Sequence, residues 1–409
     1  MRAVPRWIGY RQAGRPFAAI PDLRREAAPM NVRKFSIPEI LFVQGRLTYA
    51  GLCAKRLGAE KFFLVSDAGL EKAGWVEKVF SILRQEKLTW FYYNCISANP
   101  RDFQVRNGAE RYREEGCDVV MAVGGGSPMD AAKGIAMVAS NGGAVQDYEG
   151  ANRIQRPLPP MVFMPSTAGS GADISQFTII TNVQRQVKMS IISRTLVPNI
   201  SIIDPELLTT KTDELIVSSA IDALSHAVES YVSTIASPLT EIQSLKAIDL
   251  IMTYLPVARK ARSMVALEKL SSACTCAAMA FSNASLGLDH ALAHSLGGKL
   301  DVAHGLIHPV LLPPVMRFNL PACVEKMAAM GEIIMGRRNG SDEATAINGI
   351  ERLEAFFAGL GISTRLREVV SEPGVLPHIC EMATHDACLV TNPREATVQD
   401  MINICKASW

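Results

Sequence analysis

Between about residues 36 and 205, short apolar runs alternate with longer amphipathic ones. FFLVS (62–66), WFYY (90–93), DVVMAV (118–123) and MVFMP (161–165) are continuous in apolar residues, as strands buried on both faces are. The intervening GLEKAGWVEKVFSILRQE (69–86) has helical composition. This alternation predicts a parallel sheet covered by helices. FTIITN (177–182) and VKMSIIS (187–193), separated by VQRQ, predict a hairpin. After IIDPELL (202–208) strand-like runs nearly vanish. TKTDELIVSSAIDALSHAVESYVS predicts one long helix with Thr212 or Asp213 as its N-cap, and residues 266–300 are also helical in composition. The expected organisation is an N-terminal extension (1–29), an α/β domain built on a parallel sheet (30–205) and an all-α domain (206–409).

Composition narrows the class. The chain has 409 residues, 48% hydrophobic and 20% charged, with a net charge of +2. That is enough chain for two cores, and the near-neutral balance argues against nucleic acid or an acidic membrane surface as partner. Nine scattered cysteines without a CxxC pair fit free thiols in a reducing compartment, so a cytoplasmic location is expected. No apolar run reaches transmembrane length. The first 29 residues, with six Arg and four Pro, lack the apolar core of a secretory signal and are expected to be a loose extension before Met30.

Two small-residue loops carry the first chemistry. MAVGGGSPMDAAKGIA (121–136) runs from a predicted strand into a helix. Gly124, Gly125 and Gly126 allow close backbone approach, Ser127 can cap, and the helix start offers N–H groups to a phosphate. PSTAGSGADIS (165–175) also follows a strand. Ser166, Thr167, Ser170 and Ser175 supply hydroxyls, while Gly169 and Gly171 permit close approach. Two such loops at strand C-termini suit a dinucleotide at the carboxyl edge of an open sheet. Asp67, just after FFLVS, could accept both hydroxyls of an adenosine ribose and would repel a 2′-phosphate; read alone, it is an ordinary turn aspartate.

Histidine is concentrated further on. Four of the seven histidines, His290, His294, His304 and His308, fall within residues 287–308. Asp222 and His226, like His290 and His294, are four apart and therefore share a helix face. His304 follows a Gly-Gly pair taken as a helix break. Three imidazoles and a carboxylate suit a first-row divalent ion with room for a substrate oxygen. Spacing alone does not say which histidines are ligands. Neither pair is an HExxH zinc-protease motif.

Taken together, GGGSPMDAAKG, PSTAGSGADIS, IDALSHAVESY, FSNASLGLDHALAHSLGGKLDVAHG and TNPREAT resemble the iron-containing (group III) alcohol dehydrogenases, which include lactaldehyde reductases and 1,3-propanediol dehydrogenases. The resemblance runs from about residue 35 to the C-terminus. It implies a Rossmann-like nucleotide-binding α/β domain (30–205) and an all-α metal-binding domain (206–409) with the site in the cleft between them, and hydride transfer between NAD and a small alcohol or aldehyde. By position it implies Asp222, His226, His290 and His304 as ligands to Fe(II), with Zn(II) or another divalent metal possible, and His294 as a proton-relay group near the nicotinamide. It also implies Asp67 on the adenine ribose, Gly125, Gly126 and Ser127 on the pyrophosphate, Thr167, Ser170 and Ser175 along the cofactor, and Lys188 on a ribose. A homodimer or larger homo-oligomer is expected. His308, where several relatives carry a small or amide residue, could add a relay, a weak ligand or nothing, and the last is preferred. Phe177, Phe281 and Cys388 suggest an apolar pocket for simple aliphatic substrates. The alternatives are a non-redox NAD- and metal-dependent enzyme of the dehydroquinate-synthase-like type and a scaffold with a dead site. The first needs many basic residues, and the site segments of the helical domain are poor in them, Lys299 and Arg317 being the notable ones. The intact ligand set argues against the second.

Overall fold

The computed structural model describes residues 34–409 apart from residues 43, 46 and 303; the predicted extension lies outside the described residues. Residues 35–409 form one compact unit. The strands are β1 (Glu39–Phe42), β2 (Lys61–Val65), β3 (Thr89–Tyr93), β4 (Val119–Gly124), β5 (Gly150–Ala151), β6 (Met161–Pro165), β7 (Phe177–Asn182), β8 (Val187–Ile192) and β9 (Ile200–Ile203). Helices α1 (Tyr49–Arg56), α2 (Ala68–Lys72), α3 (Trp75–Gln85), α4 (Asp102–Glu114) and α5 (Gly126–Asn141) interleave with them. Beyond β9 come α6 (Asp213–Val232), α7 (Pro238–Ala261), α8 (Met264–Ala284), α9 (Leu288–Leu300), α10 (His308–Asn319), α11 (Val324–Met335), α12 (Asp342–Gly359), α13 (Leu376–Ala383) and α14 (Val398–Ala407).

Six strands form a parallel sheet in the order β1-β9-β6-β4-β2-β3. The alternation of side chains explains its two cores. Phe63, Val65, Val120, Ala122 and Phe163 pack with residues of α4 and α5 on one face. Phe62, Leu64, Met121, Val123 and Met164 pack with residues of α1 and α3 on the other. The predicted strands are present within one residue. The predicted 69–86 helix is divided into α2 and α3 by Gly74, at φ +82°. Sequence reading missed β1 and β9, each only four residues long. The predicted hairpin is present, antiparallel from Phe177↔Ile192 to Asn182↔Val187. The chain reverses direction across the sheet between β2 and β4, so the carboxyl edge there opens a crevice.

Thr212 caps α6 by accepting from the Leu215 amide at 3.2 Å. Around α6 the helical half builds its own core from Ile221, Leu224, Ile248, Ile251, Leu267 and Leu270. Of the described residues, α8 alone is long and apolar enough to cross a membrane by length and composition, against the sequence expectation. Its apolar positions are buried against α6 and α7. All nine cysteines are free.

The glycine pair 297–298 does not break α9. A Cβ on Gly298 would lie 2.9 Å from the Lys188 amide nitrogen, so the pair is the flat spot over which β8 crosses. Asp301, at φ +54°, ends the helix. In the second loop, a Cβ on Gly169 would lie 2.6 Å from the Ser219 carbonyl oxygen. One on Gly171, at φ +57°, would lie 2.4 Å from the Ala278 Cβ. Both glycines therefore seat the loop on α6 and α8, which corrects the expectation that they make room for a ligand. Gly171→Ala combines a left-handed Ala with overpacking and is expected to cost about 2–4 kcal/mol, read as a lowered Tm. Adding Ala278→Gly should recover the steric part only; full recovery would show that the backbone conformation is irrelevant.

Candidate active site

The two loops meet over the crevice. Gly125 opens α5, and a Cβ there would be 3.3 Å from the Thr167 Cγ2; one on Gly126 would be 3.0 Å from the Ser170 Cβ. The Ser166 amide donates to the Gly124 carbonyl at 2.7 Å, clipping one loop to the other. Ser166 itself is fully buried with an unpartnered hydroxyl. Asp67 caps α2 by accepting from the Leu70 amide at 3.0 Å, and its Oδ2 lies 3.4 Å from where a Gly124 Cβ would be. The carboxylate thus sits beside the first glycine, at the direction change of the sheet.

Lys133 was not anticipated. Fully buried on α5, it donates to the carbonyls of Ser175 at 2.6 Å and Phe177 at 2.8 Å, tying the second loop to the first helix. Asp130, one turn earlier, lines the cleft, and burial pushes its carboxyl pKa up against the pull of Lys133. Lys188 on β8 enters from the hairpin. Burial lowers its pKa to about 8, with Asp301, Asp222 and Asp130 opposing.

Asp130 and Lys188, with Gly126, Ser127, Ser170 and Ser175 of the two loops, line a cavity of about 190 Å³ that also reaches Asp222, His226, His290, His294 and His304. Phe177 and Phe281 form one wall, ring centroids 5.6 Å apart, and Phe281 stacks on the His226 imidazole at 4.2 Å. Cys388 packs behind them, fully buried, and supports the wall without lining the cavity.

The histidines converge on one carboxylate oxygen. The Asp222 Oδ1 lies 3.7 Å from His226 Nε2, 3.9 Å from His290 Nε2, 4.0 Å from His304 Nε2 and 3.3 Å from His308 Nε2. One donor atom each from Asp222, His290, His304 and His308 falls within 4.8 Å of all the others. His226 is adjacent but outside that tight group, and His308, left without a role by sequence reading, is inside it. Asp222 Oδ1, His290 Nε2 and His308 Nε2 are buried without hydrogen-bond partners. Converging buried lone pairs of this kind fit a divalent cation.

The far sides of the rings are pinned. His290 Nδ1 meets Glu229 Oε2 at 2.6 Å, His308 Nδ1 meets Asp289 Oδ2 at 2.6 Å, and His294 Nδ1 meets Asp386 Oδ2 at 2.8 Å. Such carboxylate–imidazole pairs fix the tautomer and leave Nε2 free to bind. Sequence reading missed all three carboxylates. The only signal was Asp289 directly preceding His290. His294 stacks on His304 at 5.2 Å and also lines a second cavity of about 120 Å³ with Asp386, His385 and Glu149.

A parallel sheet presenting two small-residue loops beside a buried cation site defines a nucleotide- and metal-dependent enzyme class. Family models narrow it: that for iron-containing alcohol dehydrogenase matches residues 38–205, and that for the C-terminal part of the Fe-containing alcohol dehydrogenase family matches 216–409. The 1,3-propanediol dehydrogenase of Citrobacter freundii is 37% identical over 393 residues, covering 93% of this chain and 100% of that protein. The NAD-dependent methanol dehydrogenase of Bacillus methanolicus is 35% identical over 374 residues, covering 91% and 98%. A solved 1,3-propanediol oxidoreductase superposes with a TM-score of 0.89 at 36% identity, covering 93% of this chain and 100% of that one. The chain belongs to the iron-containing alcohol dehydrogenase family.

Burial disfavours the His290 cation, yet the carboxylates of Asp222 and Glu229 raise its pKa to about 10. Below that pH the ion-free site holds a proton that a metal must displace. Uptake of Co(II) near neutral pH should therefore release protons, and affinity should fall as pH falls. Calorimetry in two buffers of different protonation enthalpy measures this; identical heats would contradict it.

Proposed function

We propose that this protein is an NAD-linked, metal-dependent alcohol dehydrogenase and aldehyde reductase, with Asp222, His226, His290 and His304 holding Fe(II) or a related divalent ion. The observation that carries the reading is the unpartnered Asp222 Oδ1 among imidazole Nε2 atoms, in the same cavity as Ser127, Ser170 and Lys188. When bound, the ion supplies Lewis acidity toward a hydroxyl or carbonyl oxygen and NAD supplies the hydride carrier.

The chain's own residues do the rest. The N-terminus of α5 and the facing Thr167–Ser170 loop receive the pyrophosphate, and Asp67 accepts the adenine ribose hydroxyls, which favours NAD over NADP. Lys188 reaches a ribose from β8. Phe177 and Phe281 exclude water and orient an aliphatic chain. His294, its Nδ1 fixed by Asp386, has Nε2 free to move a proton between the reaction cavity and the second one. The domains meet near Pro205 in this reading, with the cleft between them.

The apolar wall favours simple aliphatic alcohols and aldehydes over polyols. Among the described residues lining the cavity, Lys188 is the sole Lys or Arg, which disfavours the phosphorylated acidic substrates of the non-redox alternative. The free cysteines suit a cytoplasmic location. Exposed Ile235, Leu239 and Ile242 leave apolar surface at the start of α7, as a homodimer or larger assembly would use.

An anaerobic assay of Fe(II)-reconstituted protein with NAD and a panel of short alcohols and diols tests the function. NADH formation should vanish with chelator and return with metal. Tight binding of NAD and metal without turnover would favour the non-redox alternative. Phe177→Asn should move the ratio of kcat/KM for propanediol over butanol upward by about tenfold. Wild-type turnover that already favours the diol would refute the apolar-pocket argument. His294→Ala should lower kcat by about 10²-fold with metal content intact; an unchanged kcat would remove it from the proton path.

A further inference from the structure

We infer that His308 is a fifth protein ligand to the metal, through Nε2, making the site six-coordinate with one position left open. The inference rests on the metal-dependent reading above and extends its donor set.

Four observations carry it. His308 Nε2 is the imidazole nitrogen nearest to Asp222 Oδ1, at 3.3 Å, against 3.7–4.0 Å for the other three. It belongs to the four-donor group whose atoms lie within 4.8 Å of one another. The nitrogen is buried without a hydrogen-bond partner on a side chain with no exposed surface, and such a group is costly unless something binds it. Its other nitrogen is held at 2.6 Å by Asp289, also fully buried, which repeats the Glu229–His290 pair across the cluster. That is the arrangement of a ligating histidine, with a carboxylate behind the ring and a free Nε2 ahead of it.

Position in the fold explains how the residue arrives there. His304 lies in a short turn (His304–Leu306), and His308 is the first residue of α10. The four-residue spacing brings both rings to one side, with centroids 4.6 Å apart and planes at 84°. Asp289 and His290 are neighbours at the start of α9, so one helix end orients His308 and also supplies the His290 ligand. Four nitrogens and one oxygen exceed what a tetrahedral ion accepts. Such a set suits Fe(II), Mn(II), Co(II) or Ni(II) better than Zn(II).

The test is an anaerobic Co(II) titration of metal-stripped wild type, His308→Gln and Asp222→Ala, read by chelator competition and by visible absorption of the ion. Gln keeps a hydrogen-bonding group beside Asp289. Wild type should show the weak bands of a six-coordinate ion. His308→Gln should bind about tenfold or more weakly, with stronger bands from a lower coordination number. A folded His308→Gln protein with wild-type affinity and spectrum, beside an Asp222→Ala protein that has lost the ion, would overturn the inference and leave the metal site standing. Wild type that binds no ion would overturn both. Should His308→Gln fail to fold, a crystal structure of Co(II)-loaded wild type decides: a His308 Nε2–metal distance of about 2.1 Å supports the inference, and one beyond about 3 Å overturns it.

Discussion

A buried carboxylate surrounded by imidazoles is the constraint on which the rest of the molecule depends. Asp222 is 7% exposed and its Oδ1 has no hydrogen-bond partner, so it cannot remain ionised without positive charge nearby. Burial would raise its pKa, yet the charge of His226 and the neighbouring His290, His308 and His304 hold it well below the usual carboxylate range. Glu229 and Asp289 add two more buried carboxylates behind the rings. A proton or a metal ion at the centre is what makes this concentration of acceptors tolerable.

The same carboxylates also build the fold. α9 begins at Gly287, which has no side chain to cap it, so its first amides need partners from elsewhere. Glu229 accepts from the Asp289 amide at 2.7 Å and the His290 amide at 3.4 Å, while Asn392 accepts from the Leu288 amide at 3.1 Å. A residue of α6 thus acts as the cap of α9 and orients its first histidine. α6 serves the loops too. The carbonyl of Ser219 lies where a Gly169 side chain would be, and that of Ser218 where one on Gly305 would be. The Gly169 loop, the His304 turn and Asp222 are therefore set by a single helix.

Much of this was legible in the sequence because it is local. Continuous apolar runs gave the central strands, i,i+4 spacing put Asp222 with His226, and strand-loop-helix order put Gly125 and Ser127 at the crevice. What escaped was non-local. Glu229, Asp289 and Asp386 act on histidines nineteen to ninety-two residues away, and no period in the sequence marks them. Lys133, unmarked in the helical stretch that carries it, spans to two carbonyls more than forty residues on. His308 was set aside on the residue types that relatives carry there, whereas the geometry puts its ring against Asp222. The glycines of the second loop accommodate helices where sequence reading expects a ligand, and the Gly-Gly pair of α9 accommodates a strand where it expects a helix break.

This dual use of residues bears on how the site can vary. Phe177 and Phe281 belong to a small cluster with Ile174, Leu286 and Cys388 that contacts the reaction cavity on one side only. A change at the Phe177 side chain alters the space the cavity offers, whereas one at Phe281 also removes the ring stacked on His226. Changes at Glu229, Asp289, Gly169 or Lys133 alter the scaffold and the chemistry together. The cavity wall at Phe177 is therefore more separable from the scaffold than the histidine cluster and the two small-residue loops are. A chain with these helices and loops that lost Glu229 would lose the cap on the start of α9 along with the orientation of His290.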